Sequence, residues 1–210
     1  MWYNYYSRKH MRSVKKQIKE IAAVILGHTF RASPEVHPDG KPYRLIQVKD
    51  IDHNGVLYFD QFEAINYKFS REVELVRAGD IIFCPREHKL VAALVDKAPQ
   101  QATIVSAPLI IIRTSSQELV NPGYLQSYLN SGLVKREFQN LLSGSFILAI
   151  KKTELADFDV LVPSLEKQEV FSRIYHYSEQ ARGMQEKLLE LKSKERSSLI
   201  NKSFKQLLGV

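Results

Sequence analysis

The sequence predicts an α+β fold: one mixed domain with a mainly β core, followed by a long C-terminal helix of coiled-coil-forming type. Three observations predict it. Seven short runs rich in β-branched and aromatic residues precede Pro163, with turn-forming residues between them. Past Pro163 the pattern becomes purely helical. Within that helix Val170, Ile174, Tyr177, Ala181, Met184, Leu188 and Leu191 recur at spacings of 4, 3, 4, 3, 4 and 3, the 3.5-residue period of a left-handed coiled-coil seam. The resulting division is an N-terminal extension over 1–13, the mixed domain over 14–162 and the long helix over 163–210.

The predicted strands are, in order, Arg44 to Val48, Val56 to Phe59, Asp80 to Cys84, Val91 to Val95, Leu109 to Arg113, Phe146 to Ile150 and Phe158 to Val162. Pro38-Asp39-Gly40, Asn54-Gly55, Ala78-Gly79-Asp80 and Ser143-Gly144-Ser145 supply the turns between them. Helices intrude once. Asn121 caps a helix that starts at Pro122, where a missing N–H costs nothing, and Tyr124, Leu125, Tyr128 and Leu129 share its face. A second helical segment carries Leu133, Phe138, Leu141 and Leu142 and stops at Gly144. The long helix opens at Ser164, an N-cap, with Glu166 in its first turn. Its seam breaks across Lys192 to Ser198 and resumes as Leu199, Ile200, Phe204, Leu207 and Leu208. Such a helix is about 65 Å long. One helix cannot satisfy its own seam, so the seam either pairs with a partner or folds back; the strict 3.5 period favours pairing.

A chain of 210 residues that is 44% hydrophobic has enough apolar material for one sizeable core. The net charge of +7 suits a polyanionic partner such as nucleic acid. A single cysteine, Cys84, excludes a disulfide framework or a thiolate zinc site within one chain. It follows an apolar run and reads as a half-buried structural thiol. The apolar run Ile21 to Leu26 is too short for a signal-peptide core or a membrane span. A soluble cytoplasmic protein is therefore expected, with no membrane partner.

Catalytic motifs are missing. The six histidines are scattered, and no phosphate-binding Gly-Lys-Ser/Thr loop or Gly-x-Ser-x-Gly elbow occurs. No metal site is expected. Asn121-Pro122-Gly123-Tyr124 approaches the Asn-Pro-Pro-Tyr loop of amino-methyltransferases, in which the Asn holds the target amine and the aromatic ring stacks on a flipped base. Its third residue is Gly, and no Gly-rich loop for a methyl donor lies upstream, so a helix cap is the better reading. Asp50, Asp52, Asp60 and Glu63 suggest a magnesium site for phosphodiester cleavage. No Asp/Glu-x-Lys triplet follows at a suitable distance, and they read as loop carboxylates on a solvated face.

The order of segments is recognisable. Ile18 to Gly27 comes first, then Tyr43-Arg44-Leu45-Ile46-Gln47-Val48-Lys49-Asp50-Ile51 and Val76-Arg77-Ala78-Gly79-Asp80-Ile81-Ile82-Phe83. Asn121 to Leu125, Tyr128 to Ser131, Gly144-Ser145 and Val162-Pro163-Ser164-Leu165-Glu166-Lys167-Gln168 complete it. Over residues 14–205 this resembles the DNA specificity subunit of type I restriction-modification systems. Members of that family usually carry two target-recognition domains and two long helices. With one of each, this chain resembles a half-subunit. The resemblance implies a non-catalytic subunit that reads half of a bipartite duplex target, homodimerises through residues 165–208 and docks methyltransferase subunits. It also admits an endonuclease subunit as partner. The chain itself would hold no cofactor, and S-adenosylmethionine would bind the methyltransferase subunit only. Two features depart from the family: Arg86-Glu87-His88-Lys89 stands where an Arg-Gly pair is common, and Gly144-Ser145-Phe146 where Thr and a polar residue are expected.

Base reading needs Arg or Lys for guanine and Asn or Gln for adenine, while backbone contacts need basic and hydroxyl groups. Two polar loops flank strands and offer these groups. The first supplies Arg31, Lys41, Tyr43 and Arg44, with His28, Thr29 and Ser33 beside them; the second supplies Arg86, His88 and Lys89. Lys49 and Lys68 are weaker candidates. Two rivals stand beside this reading. One is a nuclease or methyltransferase in its own right, which the missing motifs oppose. The other is a general nucleic-acid-binding or coiled-coil scaffold protein without sequence preference.

Overall fold

The computed structural model describes residues 13–30, 40–116, 118–142 and 148–208. Two compact units divide the chain, Met1–Ser172 and Arg173–Val210. The predicted α+β class holds: a β-rich first unit, then the helix α5 (Leu165–Leu208).

The first unit is built on an antiparallel four-stranded sheet in the order β2 (Ala22–Leu26), β8 (Ile110–Thr114), β5 (Ile81–Arg86), β6 (Lys89–Leu94). Both faces of this sheet are covered. Ile81, Phe83, Leu90, Ala92, Ile110 and Ile112 point into one core with the helices α1 (Ile18–Ile21), α2 (Pro122–Asn130), α3 (Gly132–Leu142) and α4 (Lys152–Ala156). Ile82, Cys84, Val91, Ala93 and Ile111 point into the other, against Ile46, Ile51, Leu57, Phe62 and Val105. Double burial explains why these strands read as unbroken apolar runs instead of an alternation. It also corrects the expectation for Cys84, which is fully buried, its thiol pushed up by desolvation.

The second core covers a smaller sheet in the order β4 (Glu63–Tyr67), β3 (Lys41–Ile46), β7 (Thr103–Val105), with β3 antiparallel to β4 and parallel to β7. A two-stranded ribbon pairs β1 (Val14–Gln17) with β9 (Asp159–Val162).

Several expectations are corrected. Val56 to Phe59 forms no strand. The Asp52 carboxylate takes the N–H groups of Asn54 and Val56 (2.8 Å each), so the backbone turns, leaving one bridge between Ile51 and Leu57 before a 3-10 turn at Phe59–Gln61. Strand β3 ends at Ile46, and Val48–Asp50 is a 3-10 turn. Asp50 is buried, contrary to its reading as a solvated carboxylate: it accepts the Gln47 N–H at 2.8 Å, and desolvation raises its pKa. Ala149 joins the fold through a single bridge to Arg86, while 143–147, including the expected turn and the start of the expected strand, lie outside the described residues.

The turn before β5 shows what Gly79-Asp80 is for. Gly79 has φ +86°, a conformation that favours glycine. Asp80, 1% exposed, accepts the Arg77 N–H (2.8 Å) and both Nε and Nη2 of Arg113 on β8 (2.7 and 2.8 Å). Arg113 also pairs with Glu74 and donates to Leu75 O at 2.8 Å. This carboxylate-guanidinium fork ties the turn to the sheet.

The start of α5 is held by Gln168, which is 0% exposed. Its side-chain oxygen accepts the Asn121 N–H (2.8 Å), and its nitrogen donates to Pro163 O (2.8 Å) and Leu119 O (3.1 Å). The Gln that closes the Pro163 to Gln168 segment is thus a hydrogen-bonded clasp on the loop before α2.

Candidate nucleic-acid interface

Asn121-Pro122-Gly123-Tyr124 is a helix start, as its sequence predicts. Asn121 Oδ1 accepts the Tyr124 N–H at 3.0 Å, with Pro122 in the first turn. Gly123 packs closely on α5: a Cβ there would make the Ser172 hydroxyl turn away. The Tyr124 hydroxyl donates to Leu161 O, and burial pushes its phenol up to about 12. The ring is 6% exposed, so it offers no stacking face to an extruded base. The carboxylates Asp50, Asp52, Asp60 and Glu63 do not assemble: among the described residues no group of three His, Cys, Asp or Glu side chains has the geometry to hold a metal ion.

The described start of the first polar loop and the turn between β5 and β6 each approach the segment 46–49. After β2, His28 N–H donates to Val105 O (2.7 Å), and Ala107 N–H returns to His28 O (2.8 Å). Ser106 donates to Ile46 O through both its backbone N–H (2.9 Å) and its hydroxyl (3.0 Å). Segments 28–30, 46–49 and 106–107 are thereby pinned together around an open groove of about 420 Å³ lined by Thr29, Phe30, Gln47, Val48 and Lys49, among others. The turn between β5 and β6 reaches the same segment, since Lys89 Nζ donates to Val48 O at 2.9 Å. Arg86 and His88 are exposed at that turn.

Lys41 is exposed at the start of β3, opposite Tyr67. Tyr43 is half-buried, its ring 5.2 Å from Phe69. It joins an aromatic cluster that residue-by-residue reading of charges missed: His28 lies 4.7 Å from Phe30 and 4.8 Å from Phe69, and Phe30 lies 5.2 Å from Tyr67. These rings roof the small core of Leu45, Ile65 and Ile104. The two-residue spacing of Tyr67 and Phe69 was the available sequence signal. Burial lowers the His28 pKa, favouring the neutral ring. Arg44 points to the other face of β3. Its Nε donates to Gln101 Oε1 (2.7 Å) and Nη1 to Phe62 O (2.9 Å), in a separate cleft of about 590 Å³ with Phe59, Asp60 and Asp96. Lys49 is paired at 3.5 Å with Glu63, both exposed, and Lys68 is exposed. Arg31 lies outside the described residues.

On α5 every predicted seam residue is exposed: Val170, Ile174, Tyr177, Ala181, Met184, Leu188 and Leu191, and beyond the break Leu199, Ile200, Phe204, Leu207 and Leu208. Among the described residues no helix is long and apolar enough to cross a membrane.

A β-rich mixed unit whose last element runs on as one long helix is the fold of type I restriction-modification S subunits. A chain in the structure of a type I restriction-modification system, described for its complex assembly and conformational transition, matches with a TM-score of 0.67 and 18% identity. That match covers 89% of this chain and 47% of the other. The HsdS subunit from Thermoanaerobacter tengcongensis matches with a TM-score of 0.58 and 15% identity, over 88% of this chain and 42% of that one. The S subunit from M. genitalium matches at 0.54 and 13%, over 89% and 44%. The chain therefore spans about half the length of these structures. No family model matches the sequence, and no curated protein does.

Proposed function

We propose that this chain is a non-catalytic DNA specificity half-subunit of a restriction-modification system. Its first unit reads one half of a bipartite duplex target, and α5 pairs with the α5 of a second copy. The two-fold arrangement then reads an inverted repeat whose gap follows the helix length. Methyltransferase subunits dock on this dimer and carry S-adenosylmethionine, and an endonuclease subunit joins in a restricting complex. The observation that carries the reading is the coincidence of an S-subunit fold with an exposed apolar seam of 3.5-residue period on α5. An exposed apolar stripe of that length marks an interaction surface. The basic charge and the exposed Arg86 and His88 on the turn whose Lys89 reaches the 46–49 segment support duplex DNA as the ligand.

Selection from a random duplex pool, with mass measurement by light scattering, tests this. The expected result is a dimer that recovers a split inverted repeat. Leu188→Glu with Ile174→Glu is expected to give a folded monomer that retains at most a half-site. A monomeric wild-type chain, or tight salt-sensitive binding without any motif, would reject the half-subunit reading in favour of a sequence-indifferent scaffold.

A further inference from the structure

We infer that Gln47 reads an adenine at one position of each half-site, in the groove it lines with Thr29, Phe30 and Lys49. This rests on the DNA-reading function proposed above and names the residue that carries it out. Strand β3 ends at Ile46, but Gln47 remains extended (φ −121°, ψ 169°), so the two-residue alternation continues through it. Lys41, Tyr43, Leu45 and Gln47 share one face. Leu45 and Tyr43 face the cluster that includes Phe30, and Gln47 and Phe30 line one groove. Arg44, on the opposite face, is committed to Gln101 and Phe62 O in its own cleft.

The groove has the chemistry of an A·T reader. A carboxamide offers a donor and an acceptor side by side, which match adenine N7 and N6; the Gln47 side-chain oxygen also serves the capping box of the Val48–Asp50 turn, which holds it in place and leaves its amide N–H groups and a second lone pair for a base. Phe30 gives an apolar wall suited to a thymine methyl, and Thr29 is exposed at the rim. Lys49, with a side chain 63% exposed, stands beside Gln47 where it can leave Glu63 for a phosphate. The walls are fixed by main-chain hydrogen bonds from His28, Ser106 and Ala107, so Gln47 is carried on a rigid frame.

The test is duplex selection and salt-dependent binding with the full chain and the variants Gln47→Ala, Gln47→Glu, Lys49→Ala and Gln101→Ala, with melting curves for each. Gln47→Ala is expected to lose the preference for A·T at one position and to bind the wild-type site ~5- to 150-fold more weakly, with an unchanged salt slope. Gln47→Glu should move that preference toward cytosine, whose exocyclic amine is a donor. Lys49→Ala should keep the motif and reduce the salt slope by ~1. Gln101→Ala should alter neither. If Gln47→Ala melts like wild type and selects the same motif with the same affinity, the inference is overturned. If Gln101→Ala changes the motif instead, reading belongs to the Arg44 cleft. A wild-type chain that selects no motif would remove the DNA-reading function itself, a different failure from the first two.

Discussion

Replacing Gln168 with Leu removes a polar clasp without opening a large cavity. Gln168 is 0% exposed and makes three hydrogen bonds, from Asn121 N and to Leu119 O and Pro163 O. Each is worth ~1 kcal/mol net, and a partner left without water loses ~1–3 kcal/mol. The loss is therefore about 3 kcal/mol. For a unit of this size each kcal/mol shifts Tm by about 2–4 °C, so Gln168→Leu should melt roughly 6–12 °C below wild type. Urea denaturation followed by circular dichroism measures the same quantity. Glu169→Ala, at the exposed neighbouring position, should stay within ~0.5 kcal/mol of wild type. Gln168→Glu adds a pH signature. A buried carboxylate facing two carbonyls has a raised folded pKa, so this variant should lose further stability as pH rises above the unfolded value of about 4.3. A Gln168→Leu protein as stable as the Glu169→Ala control would refute the clasp.

Three further outcomes are expected. Arg113→Leu leaves the 1%-exposed Asp80 without its fork and should cost ~3–5 kcal/mol in a denaturant titration, whereas Arg77→Ala, whose partner is the surface residue Glu74, should cost under ~1 kcal/mol. Gly123→Ala makes the Ser172 hydroxyl rotate away and should cost at most about 1 kcal/mol, a loss that a double-mutant cycle with Ser172→Ala should remove. Burial lowers the His28 pKa, so the unfolded chain binds the proton first on acidification. The His28 contribution is therefore complete above its unfolded pKa of about 6.5 and is lost as pH falls toward the folded value. Wild type should lose more stability between pH 7.5 and 5.5 than His28→Gln, and equal losses would remove His28 from the acid response.

Elements whose signals are local can be read from the chain alone. Asn121-Pro122 caps and starts α2, the 3.5-residue period marks α5, and the apolar runs at Asp80 to Cys84 and Leu109 to Arg113 become β5 and β8, because capping geometry and side-chain periodicity depend on neighbours a few residues away. The two polar loops are legible there only as candidates for base reading. Features that depend on distant partners emerge only in the folded chain. Strand β1 is polar and exists because β9 pairs with it across nearly the whole unit. Strand β4 has one inward apolar residue, Ile65, and is recognisable only against β3. Gln168 reads as an ordinary helix residue until the loop before α2 closes over it. Above all, Arg44 and Gln47 sit three residues apart with similar base-reading potential. Only the hydrogen bonds that pull Arg44 into one cleft, and the strand alternation that turns Gln47 into another, separate them.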